Sequence, residues 1–219
     1  MHNNDNFNNN NTTTKMSTTK RIKVSESAAT QTSVTTVPTI LRIKIKLIGS
    51  KPPIWRTILC NADTTLKEFH RVIQITMGWW DSHLHQFEVE GQKIGNRDDG
   101  CDYMEDERRF TLKDVAPNGR FGYEYDFGDC WEHDIHIEKE VPYDTKLSYP
   151  LCVAGKRNCP PEDDCGGIGN YENILDEIAD GTIDEDMKEW MEQITGGEPF
   201  NPEQFDLATI NEKLQNSAP

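Results

Sequence analysis

The sequence predicts an α+β fold: a β-grasp-like mixed sheet with one packed helix, a long hairpin and a C-terminal helical segment. Three observations predict it. Apolar residues alternate strictly with Arg42, Lys44 and Lys46 from Leu41 to Leu47, the period-two pattern of a half-buried strand. Leu66, Phe69, Ile73 and Met77 recur at spacings of three and four, the pattern of one helix face. Aromatic and polar residues alternate on both sides of Gly128-Asp129, as in a hairpin.

Taken in order, residues 1–38 open with a tract dominated by Asn and Thr. Such a tract has too little apolar surface to offset ordering entropy, so a disordered tail is expected, followed by a single domain over 39–219. The first strand leads through Gly49-Ser50-Lys51-Pro52-Pro53 to a second at Ile54–Cys60. Asp63 or Thr64 is the expected cap of a helix that Gly78 stops. Strand, strand, helix and a strand at 86–90 make a β-grasp-like opening. Residues 91–109 are polar and read as a long loop, with a short helix at 111–115. The hairpin occupies 120–141, and 142–170 is turn-rich. Apolar stripes predict helices over 171–178, 184–194 and 202–214.

The composition excludes several classes. The chain has 219 residues, 35% of them hydrophobic, and no apolar run approaches the ~18 residues of a membrane span. Residues 1–20 lack the apolar core of a secretory signal. An intracellular protein, cytoplasmic or nuclear, is expected, with Lys20-Arg21-Ile22-Lys23 as the only import-like patch. Of 23 basic and 38 acidic residues, the first 39 positions hold four and two. The remainder is therefore strongly acidic, and general nucleic-acid binding and membrane association are not expected. The six cysteines show no Cys-x-x-Cys spacing, so free thiols or metal ligands are favoured over disulfides.

Three stretches could carry chemistry. In the hairpin, a three-residue turn would pair Phe127 with Trp131 and Tyr125 with His133, making one face aromatic. It would also oppose Asp126 to Glu132, a like-charge pair that asks for compensation. His83 and His85 are two apart and would share a strand face, as metal-binding or acid–base histidines do. Cys159-Pro160-Pro161-Glu162-Asp163-Asp164-Cys165-Gly166-Gly167 reads as a rigid loop presenting carboxylates and thiols. His83 or His85, one of Asp126, Asp129 and His133, and one of Glu162 and Asp163 are expected to meet in one pocket.

These stretches also carry a resemblance. Lys51-Pro52-Pro53-Ile54-Trp55-Arg56, Met77-Gly78-Trp79-Trp80-Asp81-Ser82-His83-Leu84-His85-Gln86-Phe87, Tyr125-Asp126-Phe127-Gly128-Asp129 and the Pro-Pro-Glu-Asp loop together resemble the plasmid pRiA4b ORF-3-like family over residues 40–215. The resemblance implies an α+β domain; some relatives carry a transposon-passenger, TnpR-like label that implies DNA recombination. Cys130 and Asp164 depart from the family's usual pattern. Three functions follow as expectations. The first is a binding or adaptor module with a protein or small-molecule partner, tied in some relatives to mobile elements. The second is a metal-dependent, hydrolase-like enzyme using His83, His85, Asp126, Asp129, His133, Glu162 and Asp163, with a divalent metal as candidate cofactor and His83, His85, Cys159 and Cys165 as candidate ligands. The third is DNA binding through Arg42, Lys44 and Lys46.

Overall fold

The computed structural model describes residues 37–99, 103–163, 165–195 and 197–217. The expected tail lies outside the described residues except for Val37 and Pro38, as do Cys101 and Asp164. Ile40–Leu47 (β1), Trp55–Asn61 (β2), His85–Val89 (β3), Gln92–Gly95 (β4), Glu105–Asp106 (β5), Arg120–Tyr125 (β6), Trp131–Val141 (β7) and Leu151–Lys156 (β8) form one sheet. Its order is β5-β4-β3-β6-β7-β1-β2-β8. Neighbours run antiparallel apart from the short β4–β5 pair. The α+β class stands, while the β-grasp likeness reaches no further than the strand–strand–helix–strand opening.

The alternation in β1 buries Ile43, Ile45 and Leu47 completely. Leu66–Met77 (α1) lays Leu66, Phe69, Ile73 and Met77 on the same core. Phe69 meets the rings of Phe87 and Phe121, each with its centroid 6.4 Å away. The cap is Thr65, one or two residues later than the expected Asp63 or Thr64. Thr65 lies three residues before Glu68; its hydroxyl accepts from the Glu68 amide, and Glu68 accepts from the Thr65 amide at 2.7 Å. Neither Asp63 nor Thr64 has an acid at the position this reciprocal cap requires. Gly78 ends the helix at φ 86°, a left-handed conformation that glycine adopts without steric cost.

Two segments read as loops contain strands. Within 91–109, β4 pairs with β3 around Glu90 and Gly91, both at positive φ. That two-residue turn matches the twist of the flanking strands, and Ile94 is the buried anchor. Within the turn-rich 142–170, β8 pairs with β2 at the sheet edge, where glycine and irregular pairing are tolerated.

The β6–β7 hairpin corrects the expected register. Tyr125 pairs with Trp131, Tyr123 with His133 and Phe121 with Ile135, leaving residues 126–130 as the turn. The slip relative to the expected pairing is two residues, so the aromatic face keeps its side while every partner changes. Asp126 and Cys130, both at φ 55°, frame this wider turn. Glu124 rather than Asp126 opposes Glu132, and Gln86 Nε2 donates to Glu124 at 2.5 Å.

Residues 112–115 form one short helical turn, Leu112–Val115 (α2), and the three predicted C-terminal helices are Gly167–Asp180 (α3), Glu185–Ile194 (α4) and Leu207–Asn216 (α5). Tyr171, Ile174, Met191 and Leu214 are their buried hydrophobic residues. No helix among the described residues is long and apolar enough to cross a membrane.

Candidate functional site

The segment between α1 and β3 is where the polar chemistry collects. With no helix or strand bonds of its own, it draws its backbone partners from elsewhere. Trp80 N donates to Glu162 Oε2 at 2.5 Å and Ser82 N to Glu162 Oε1 at 2.9 Å. The Tyr125 hydroxyl also donates to Glu162 and accepts from the amides of Ser82 and His83. His83 Nε2 lies 2.5 Å from Asp163 Oδ1, and its Nδ1 lies 3.8 Å from Asp126. The hydrogen bond with Asp163 raises the His83 pKa, with Asp126 adding to it. Burial, then Glu162, raises that of Tyr125. His83, Asp126, Glu162 and Asp163 thus gather where the Pro-Pro-Glu-Asp loop crosses the segment.

The other expected residues lie elsewhere. Asp129 sits in the hairpin turn, where it accepts from the Gly166 amide at 3.1 Å. His133 faces the core: its Nδ1 lies 2.9 Å from the Trp131 carbonyl, and Nε2 has no partner among the described residues. Burial lowers its pKa to about 4. Cys159 is buried, with Arg56 Nη2 3.1 Å and Met77 Sδ 3.2 Å from its sulfur. Cys165 is buried immediately before α3.

His85 belongs to a second cluster that the sequence reading did not assemble. Its ring stacks on that of His70, with centroids 3.5 Å apart and planes within 5°. His70 Nε2 lies 2.7 Å from Asp81 Oδ1, and His85 Nε2 lies 2.7 Å from Glu107 Oε2. His70 Nδ1 lies 2.8 Å from the Tyr123 hydroxyl, which also accepts from Gln74 Nε2 at 3.0 Å. Gln74 Oε1 accepts from the Asp81 amide. Burial lowers the His70 pKa, favouring the neutral ring. Burial alone would raise the Asp81 carboxyl, but the hydrogen bond with His70 holds it below its ordinary value. One signal in the sequence pointed here: His70 and Gln74 are polar residues one turn apart in a helix whose neighbouring positions are core. Glu107 carried no signal, because its contact with His85 spans 22 positions and is set by tertiary packing.

A groove of about 420 Å³ lies on the far side of the Pro-Pro-Glu-Asp loop. Trp80, Pro160 and Pro161 line it together with Trp190 and Phe200 from the C-terminal region. Trp80 is 80% exposed. Of the three basic residues on β1, Arg42 pairs with Glu138 at 2.8 Å, and Lys44 sits over the Trp55 ring at 4.7 Å.

Comparison with known proteins places these features in context. The sequence profile of the plasmid pRiA4b ORF-3-like protein family matches residues 39–209. The chain is 33% identical over 148 residues to the uncharacterised protein y4hQ of Sinorhizobium fredii, covering 66% of this chain and 75% of that one. A crystal structure of a protein of unknown function from Methanosarcina mazei is similar at 35% identity with a TM-score of 0.70. That likeness covers 78% of this chain and 97% of the other.

Proposed function

The chain belongs to the plasmid pRiA4b ORF-3-like family, and from that premise we propose that it is a binding module whose partner seats in the groove beneath Trp80. The observation that carries this reading is the exposure of Trp80 on the wall of a preformed groove that mixes apolar and polar lining. An indole left in water on the wall of a concave surface contributes binding energy once a partner covers it. The carboxylates at the rim support the reading. Glu162 accepts from two backbone amides and a phenol, and Asp163 from His83, so both are committed to holding the loop in place. Glu162, Asp163 and Lys213 give the groove a rim of mixed charge, which suits a partner segment carrying apolar and polar side chains.

The test is affinity capture from host-cell extract with the wild-type chain and with a Trp80→Ala/Trp190→Ala variant, followed by reconstitution with the purified partner. A partner whose affinity falls at least tenfold in the variant supports the reading. Equal capture by both proteins, or no partner, removes it. A second reading, a metal-dependent enzyme of hydrolase type, is favoured by the grouping of His70, Asp81 and His85, and turnover of an ester or phosphoester panel on metal addition would establish it.

A further inference from the structure

We propose that His70, Asp81 and His85 bind a divalent transition-metal ion, with Glu107 and Tyr123 orienting the two imidazoles. The site shares no lining residue with the Trp80 groove, so it stands whether or not that groove binds a partner. It underlies the enzyme reading but requires only binding, not turnover.

The geometry is that of a donor set. One ligand atom from each of His70, Asp81 and His85 lies within 4.8 Å of the others, and this is the only such group among the described residues. An ion bound ~2.0–2.2 Å from each of three donors holds those donors roughly 3.3–3.8 Å apart, so binding draws the three side chains together and tilts the two stacked rings toward the ion. His70 and His85 are 3% and 8% exposed, which holds the rings rigidly. Two imidazoles with a carboxylate form a borderline-soft set that favours zinc, iron, cobalt or manganese over calcium or magnesium.

The surroundings supply what such ligands need behind them. A metal-bound imidazole is oriented through its other nitrogen or by a neighbouring carboxylate. His70 Nδ1 has the Tyr123 hydroxyl at 2.8 Å, and that hydroxyl is itself anchored by Gln74. His85 has Glu107, a carboxylate only 2% exposed. Two carboxylates, Asp81 and Glu107, face the two imidazoles, and a divalent cation would balance them where burial makes uncompensated charge costly. In the neutral ring the His70 proton sits on Nε2, facing Asp81 Oδ1. Metal binding requires the other tautomer, with that proton on Nδ1 donating to the Tyr123 hydroxyl, which frees Nε2 and Asp81 Oδ1 as ligands with no net proton released. Asp81 is half exposed and opens onto a cavity edged by Lys67, Arg71 and Asn96. The ion would therefore keep a face for water or for an anionic group drawn by the two basic side chains.

The test uses the untagged full chain, stripped with chelator and titrated with Zn²⁺ alone by calorimetry. One equivalent is expected, with affinity at least tenfold weaker in Asp81→Asn and His85→Gln and unchanged in His83→Gln. No saturable binding, or equal binding by the ligand variants, overturns the proposal. Should a variant fail to fold by circular dichroism, Co²⁺ absorption of the wild type decides. Visible d–d bands without sulfur charge transfer, abolished by stoichiometric Zn²⁺, support nitrogen and oxygen ligation at this site. A sulfur charge-transfer band would place the ion on a thiol, and absence of any band would show no site; either result overturns the proposal.

Discussion

His83 Nε2 and Asp163 Oδ1 lie 2.5 Å apart although 80 positions separate the residues, so one hydrogen bond couples the segment before β3 to the Pro-Pro-Glu-Asp loop. The hydrogen bond raises the folded-state pKa of His83. A raised histidine pKa contributes stability that is fully present below the unfolded value, near 6.5, and is lost as pH rises through the folded value. The urea midpoint of the wild type should accordingly fall above pH ~6.5 relative to an Asp163→Asn variant. Parallel pH profiles for the two proteins would show that the pair carries no linkage.

Glu162 accepts from the amides of Trp80 and Ser82. Replacing it with alanine leaves those donors to water and frees the segment. Hydrogen exchange at the two amides should accelerate at least tenfold in Glu162→Ala while amides of β1 keep their protection. Uniform acceleration would instead mark global destabilisation.

His133 titrates at about 4 because burial disfavours its charged form. The unfolded chain takes up this proton near pH 6.5 and the folded chain only near 4, so stability falls as pH drops between those values and levels off below. The loss attributable to this residue is about 3 kcal/mol. Histidine NMR titration isolates it from the carboxylates: the His133 ring signals should stay those of neutral imidazole down to pH ~5, and a midpoint near 6.5 would refute the burial argument.

Gly167 has φ +77°, and a Cβ built on it would stand 2.7 Å from the carbonyl oxygen of Asp129. Gly167→Ala therefore meets both a disfavoured backbone conformation and a rigid neighbour. A cost of about 1–3 kcal/mol is expected, measured by denaturant unfolding, with the hairpin turn and the start of α3 displaced. Gly169→Ala, where no atom lies within 4 Å of the added carbon, is the control and should be near neutral or stabilising.

Phe69 is completely buried between Phe87 and Phe121. Phe69→Ala should cost about 3–5 kcal/mol and leave Zn²⁺ affinity unchanged if the protein is titrated where it remains folded. A loss below 1 kcal/mol would mean that the core collapses around the missing ring.

Local periodicity by itself determined β1, α1 and the aromatic face of the β6–β7 hairpin, because burying one face of a strand or helix writes a period of two or 3.6 into the chain. Gly78 was legible as a helix stop for an equally local reason. The hairpin register was not. A two-residue slip preserves which side chains face the core, and only the wider turn, with Asp126 and Cys130 at positive φ, selects among the allowed pairings. β4 and β8 escaped notice because β4 is only four residues long and β8, though mostly apolar, lies in a turn-rich stretch after Pro150. Neither alternates clearly, and both are stabilised by neighbouring strands rather than by their own pattern. The site divides in the same way. His83, His85, Glu162 and Asp163 stood out as residue types in unusual runs, yet their groupings depend on contacts spanning tens of residues. His83 turns to Asp163, whereas His85, two positions along, stacks on His70 of α1 and reaches Glu107. Which histidine meets which carboxylate is decided by where α1 and Glu107 come to lie against β3, and no local pattern encodes that choice.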